Sequence, residues 1–176
     1  MKHFSLKQFV LSGIIAALYV ALTVPLGSYA TSSFINIRPA EALTILPVFF
    51  VEAIPGVTVG CLLSNILAGG ATVPDIILGT LITLVSAVLT RALRRPLLAA
   101  LPPVLLNGLL LPVIWIVFAG AGGYLTMMAS TTLTQAIWVY GLGLPLYFVV
   151  KKYRLQYKWQ QIVERSREPA VDSKEN

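Results

Sequence analysis

The chain has 176 residues, 57% of them hydrophobic and only 11% charged, with a mean hydropathy of +0.82, thirteen Lys and Arg, seven Asp and Glu, and a pI near 9.7. A soluble domain carries about a quarter charged residues, so this composition argues against an ordinary soluble domain and points to lipid. The single cysteine, Cys61, and single histidine, His3, argue against an internal disulfide, a multi-cysteine metal site or a Ser-His pair; neither a metal nor a cofactor is expected.

A bilayer core about 30 Å thick takes roughly 20 apolar residues per spanning helix. On that measure the sequence predicts an all-α polytopic bundle of six transmembrane helices over residues 1–153. The first segment covers 7–27. Lys2 and Lys7 ahead of it, with Ser28-Tyr29-Ala30 behind, also fit a cleavable signal peptide. The apolar run is long for that, and five remaining spans would break the charge pattern. The second segment covers 38–54 and the third 56–69, with a turn expected at 52–56, where Pro55 removes a donor and Gly56 permits a bend. Both are short for a span, and a helix that stops short leaves room for a cavity. The fourth, 74–93, opens with Pro74 and closes on Arg91, Arg94, Arg95 and Pro96. The fifth, 97–118, carries Pro102, Pro103 and Pro112, and the sixth runs over 124–150 to Lys151-Lys152. Residues 154–176 form a cytoplasmic tail whose mixed charge predicts disorder, most plainly from Gln160 onward.

Positively charged residues in short loops set orientation. Lys2 and Lys7, then Arg91, Arg94 and Arg95, then Lys151, Lys152, Arg154 and Lys158 fall on one side of a six-span layout, which places both termini in the cytoplasm. The opposite loops, 28–37 and 119–123, contain no Lys or Arg. The basic excess therefore answers to membrane lipid and topology rather than to nucleic acid.

Ionisable and amide groups inside a bilayer are costly and usually functional. Arg38 and Glu41, three residues apart, share one face at the outer end of the second segment. Asn65 lies in the outer half of the third, Asp75 at the outer end of the fourth, Asn107 near the middle of the fifth, and Thr131, Thr134 and Gln135 in the outer part of the sixth. Each has a structural reading: a headgroup-level Arg38–Glu41 pair, Asp75 as a helix cap, and the Asn, Thr and Gln side chains as interhelical glue. Glu52, at the inner end, reads by default as a solvated carboxylate. Taken together, two carboxylates, an arginine and several amides at one depth describe a pocket for a small polar molecule. Neither the ring of charges of an ion channel nor the nucleophile–base pair of an intramembrane enzyme is present, so no catalytic residue is assigned. Gly13, Ala17 and Ala21 recur every four residues along the first segment, a small-residue face that suits either internal packing or docking of another membrane helix.

The stretch Asn36-Ile37-Arg38-Pro39-Ala40-Glu41-Ala42-Leu43-Thr44-Ile45-Leu46-Pro47, with Gly60-Cys61-Leu62-Leu63-Ser64-Asn65-Ile66-Leu67, Asp75-Ile76-Ile77-Leu78-Gly79-Thr80 and Leu101-Pro102-Pro103-Val104-Leu105-Leu106-Asn107, resembles the QueT family of queuosine-precursor transporters. These are substrate-binding S-components of energy-coupling factor (ECF) transporters. The resemblance implies a six-helix subunit in a bacterial plasma membrane that captures a 7-deazaguanine such as preQ1 or preQ0. It also implies partnership with a transmembrane T-component and two ATPase subunits. Ala17 and Ala21, extended by Gly13, match the family's docking element, and residues 28–36 its gating loop. Glu41, Asn65, Asp75, Asn107, Arg38 and Gln135 would contact the substrate, with Phe34, Tyr29 or Trp138 stacking on the base. Thiamine-like or other nitrogenous cargo suits two carboxylates as well, and a purely structural subunit would need no such set. The sequence has no Gly-x-x-x-x-Gly-Lys-Ser/Thr motif, so ATP hydrolysis would come from a partner.

Overall fold

The structure, a computed structural model, describes residues 4–32 and 36–165, in which there are helices and turns and no strand. Four helices are long and apolar enough to cross a membrane: α1 (Leu6–Ala30), α3 (Asp75–Leu93), α4 (Pro96–Ala119) and α5 (Tyr124–Lys152). Two shorter apolar helices complete the bundle, a 3-10 helix over Pro39–Val48 and α2 (Ala53–Leu67). A final helix, α6 (Leu155–Arg165), is amphipathic.

The 3-10 helix is the centre of the molecule. Every residue from Ala40 to Pro47 is buried, and α1, α2, α3 and α5 all pack against it. A helix enclosed on every side reads as apolar all round, with no polar stripe to give it a period. Its residues tie the apolar clusters together: Leu43 and Leu46 meet Ile15, Val57 and Val150, while Ile45 meets Val104, Val139 and Tyr147. Around this centre the outward faces are Leu, Ile, Val and Phe, as expected where lipid tails are the solvent.

The second segment was expected to continue to residue 54 before a turn at 52–56; it ends at Val48, and the turn falls within residues 49–52. Pro55 and Gly56 lie inside the first turns of α2 instead. Proline is tolerated there because the N–H it lacks would have no intrahelical partner. Gly56 and Gly60 then form a smooth groove for α1: a Cβ at Gly60 would stand 2.6 Å from Tyr19 Cβ, and one at Gly56 would stand 2.9 Å from Ile15 Cβ. Such close approach is how helices associate without water to expel. Gly60→Leu is therefore expected to push α1 off α2 and lower the thermal midpoint of the detergent-purified protein, by about 1–3 kcal/mol of overpacking. An unchanged midpoint would mean that the groove does not seat α1.

At the basic end, the structure differs from expectation in two places. Residues 155–165 are helical rather than disordered; residues 166–176 lie outside the described part. Glu52 is not solvated but 3% exposed, accepting hydrogen bonds from Gln8 Nε2 at 2.7 Å and from Trp159 Nε1 of α6 at 3.2 Å. Lys7 Nζ donates to the Ile162 carbonyl at 3.2 Å, so the start of α1 and the end of α6 meet at one end of the bundle. An amphipathic helix with Leu155, Trp159, Ile162 and Val163 along one face suits an interfacial position, and the long-range partners of Glu52 and Lys7 fix it there.

Candidate functional site

At the opposite end lies a small cavity of about 20 Å³, walled by Arg38, Asn65, Asp75 and Asn36 with Leu111 and Trp115 of α4. That is room for about one water molecule. The polar side chains around it form a continuous chain. Tyr19 of α1, fully buried, donates its hydroxyl to Glu41 Oε1 at 2.6 Å. Arg38 Nε stands 3.9 Å from the same oxygen. The other arm of the guanidinium, Nη2, donates to Asn65 Oδ1 at 2.7 Å. Asn65 Nδ2 reaches the Asp75 carbonyl at 3.4 Å, and Cys61 Sγ accepts from Thr83 Oγ1 at 3.3 Å beneath them.

Local folding explains how each group gets there. Arg38 precedes Pro39, which starts the central 3-10 helix, so Arg38 and Glu41 sit one 3-10 turn apart and are stacked. Asn65 is in the last turns of α2, one turn beyond Cys61. Asp75 opens α3 in a π-helical turn over Asp75–Gly79, a distortion frequent at functional sites. Its Oδ2 accepts from Thr72 N at 3.0 Å and Thr72 Oγ1 at 2.8 Å. Asp75 thus does cap its helix start, but with one oxygen only.

Several buried atoms are left without a partner: Asn36 Oδ1, Glu41 Oε2 and Asp75 Oδ1, which accept, and Arg38 Nε, which donates. Each such group, if left unmet, costs about 1–3 kcal/mol; chemically, the set can receive several N–H donors and one acceptor. Arg38 and Glu41 do pair, and at 5% and 1% exposure the pair is enclosed by protein rather than exposed on the surface. The expected residues do not all share one wall. Arg38, Asn65 and Asp75 line the cavity, while Glu41 lies behind Arg38. Asn107 is buried on α4 one turn below Leu111 and two below Trp115, on the face that reaches the cavity, without lining it. Gln135 is buried on α5, its Oε1 unpartnered, one turn from the equally unpartnered Thr131 Oγ1. Phe34 falls outside the described residues. Among the other aromatic candidates, Tyr29 is exposed and Trp138 half-buried away from the cavity; Trp115, which sequence reasoning passed over, stands at its wall.

Gly13, Ala17 and Ala21 all lie on the exposed face of α1, away from the side that seats Ile15 and Tyr19 on α2, and a Cβ at Gly13 would meet nothing within 4 Å. No cluster of three or more potential metal ligands exists among the described residues. No curated protein and no solved structure matches the chain. The model of the QueT transporter family matches residues 9–152. A continuous match across the whole bundle, joined to a set of long apolar helices, makes this chain a multi-pass membrane protein belonging to the QueT transporter family.

Proposed function

We propose that the protein is the substrate-binding S-component of an ECF-type uptake transporter and that its cargo is a queuosine precursor, a 7-deazaguanine. The observation that carries this reading is the unsatisfied set at the cavity and just behind its wall: Asn36 Oδ1 and Asp75 Oδ1 at the wall and Glu41 Oε2 behind Arg38, against one arginine N–H. A 7-deazaguanine presents N1–H and an exocyclic amine as adjacent donors, which a carboxylate accepts as a pair, and an O6 that an arginine can serve. Trp115 offers a ring for stacking. Since the cavity holds about one water, capture of a bicyclic base requires its outer walls to part. Six membrane crossings with both termini in the cytoplasm agree with the meeting of Lys7 and Ile162 at one end and with the gathering of Lys and Arg there. The open face of Gly13, Ala17 and Ala21 would dock the T-component, which with two ATPase subunits supplies the energy.

The test is to purify the protein in detergent, identify the co-purified small molecule by mass spectrometry, and titrate it with an aminomethyl and a cyano 7-deazaguanine. A different nitrogenous vitamin would reassign the cargo, and no ligand at all would favour a structural subunit. Asp75→Asn discriminates further. The amide keeps an oxygen for Thr72 but turns a neutral donor toward the cavity. Affinity for the cationic aminomethyl compound is expected to fall at least tenfold, the loss of one charge-assisted bond of about 1.5–3 kcal/mol, with a smaller change for the neutral cyano compound. Equal effects on both would reduce Asp75 to a helix cap.

A further inference from the structure

We infer that the cleft at the basic end of the bundle is a binding site for the phosphate of an anionic phospholipid. It has a volume of about 400 Å³ and lies between the ends of α3 and α5 and the underside of α6. Arg91, Arg94 and Lys151 line it, no carboxylate does, and Phe49 and Tyr147 give it an apolar inner wall. Past Lys151 and Tyr157 it opens into a second cleft bearing Arg154 and Lys158. Arg91 also donates to the Pro47 carbonyl and borders an adjoining cleft that carries Glu52 and Glu164, which leaves Arg94 and Lys151 as the cations not shared with that neighbour. Lysine and arginine together select an anion, and the planar guanidinium fits phosphate oxygens two at a time.

Backbone conformation singles out the same place. Among the described residues two that are not glycine have positive φ, Arg94 at 52° and Arg154 at 51°. Arg94 directly follows the last residue of α3, and Arg154 lies two residues past the end of α5. The left-handed conformation that ends a helix is ordinarily given to glycine or asparagine, because a side chain crowds the backbone there. Both helix ends carry arginine instead, each beside the cleft. A strained backbone that persists at two sites around one cleft is the pattern of a functional constraint.

Depth decides between a soluble phosphate compound and a lipid. The cleft is at the ends of two spanning helices, where exposed Tyr153 and Tyr157 mark the headgroup level. Its apolar wall of Phe49 and Tyr147 would be wasted on inorganic phosphate but suits the glycerol and first acyl carbons of a lipid. The inference stands apart from the identity of the cargo, which binds at the other end.

The experiment uses the full chain in neutral detergent, titrated with phosphatidylglycerol and followed by native mass spectrometry and thermal midpoint. Phosphatidylcholine and inorganic phosphate serve as controls. Arg94→Gly with Arg154→Gly removes both charges while easing both backbone positions, so the fold should survive, as an unchanged circular dichroism spectrum would show. Phosphatidylglycerol affinity is expected to drop about 25-fold, at roughly fivefold per basic residue, and the double lysine replacement should restore most of it. Lys151→Gln, at an exposed helical position, is an independent arm with about a fivefold loss. Equal binding of phosphatidylcholine, or undiminished phosphatidylglycerol binding in the glycine and glutamine variants, would overturn the inference. So would saturation by inorganic phosphate at the same concentrations, or variants that lose assembly with partner subunits while still binding the lipid.

Discussion

Ala17→Trp is expected to abolish ATP-dependent uptake while leaving equilibrium binding of cargo by the isolated subunit nearly intact. Ala17 lies on the outward face of α1, with Gly13 and Ala21 one turn to either side. Helices in lipid associate through van der Waals contact between small residues, and an indole on that face would hold a partner helix several ångströms away. The opposite face of α1, which carries Ile15 and Tyr19 into the groove of Gly56 and Gly60, would be untouched. Binding should therefore survive, because Tyr19 would still hold Glu41. The measurement is a pair: calorimetric titration of the purified subunit, and uptake into vesicles containing the coupling subunits. If both fall together, the small-residue face is part of the bundle's own packing and the docking role is lost. If neither changes, no partner helix approaches there.

Glu41→Gln is expected to weaken cargo binding by roughly tenfold to a hundredfold, corresponding to about 1.5–3 kcal/mol for a charge-assisted hydrogen bond. The structure explains why so small a change should matter. Glu41 Oε1 is engaged by the Tyr19 hydroxyl, and Oε2 is unpartnered. A glutamine would keep its oxygen on Tyr19 and leave an NH2 group at the open position. There it would face the N–H groups of a 7-deazaguanine, donor against donor, while the negative charge beside Arg38 would also be gone. The Tyr19 contact is retained, but buried Arg38 loses its counter-charge, so thermal midpoint and circular dichroism are measured beside affinity to separate lost recognition from lost stability. Unchanged affinity by titration would remove Glu41 from recognition and leave it a structural partner of Tyr19 and Arg38.

What could be read from the sequence was local. The limits of α3 are written in Pro74 and Asp75 at one end and Arg91, Arg94 and Pro96 at the other, and the structure keeps them nearly as read. Arg38, Asn65 and Asp75 could be picked out because a polar group amid aliphatic residues has few innocent explanations. The central 3-10 helix could not be foreseen: buried on all sides, Ala40–Pro47 carries no periodicity to distinguish one helical form from another. The turn before α2 was misplaced because Pro55-Gly56 is as good a helix start as it is a bend. Other features depend on distant partners. Tyr19 looks like ordinary packing until its hydroxyl is seen to meet Glu41, 22 residues on. Glu52 looks solvated until Trp159, 107 residues on, closes over it. The Asn107 and Gln135 amides were correctly placed inside the bundle by their cost in lipid, yet depth alone could not say which wall they serve.

The ten residues of the central helix have a mechanical consequence. At about 2.0 Å per residue a 3-10 helix of that length spans roughly 20 Å, whereas α-helical winding at 1.5 Å would span roughly 15 Å. Arg38, just before its first residue, forms part of the wall of the small polar cavity, and the carbonyl of Pro47 near its other end accepts from Arg91 Nη1 at 3.0 Å, in the wall of the basic cleft. The helix is therefore a strut that runs between the polar cavity and the basic cleft. Rewinding it as an α-helix would draw Arg38 and Pro47 together by about 5 Å, so the 3-10 winding itself sets the distance between the cavity and the basic cleft.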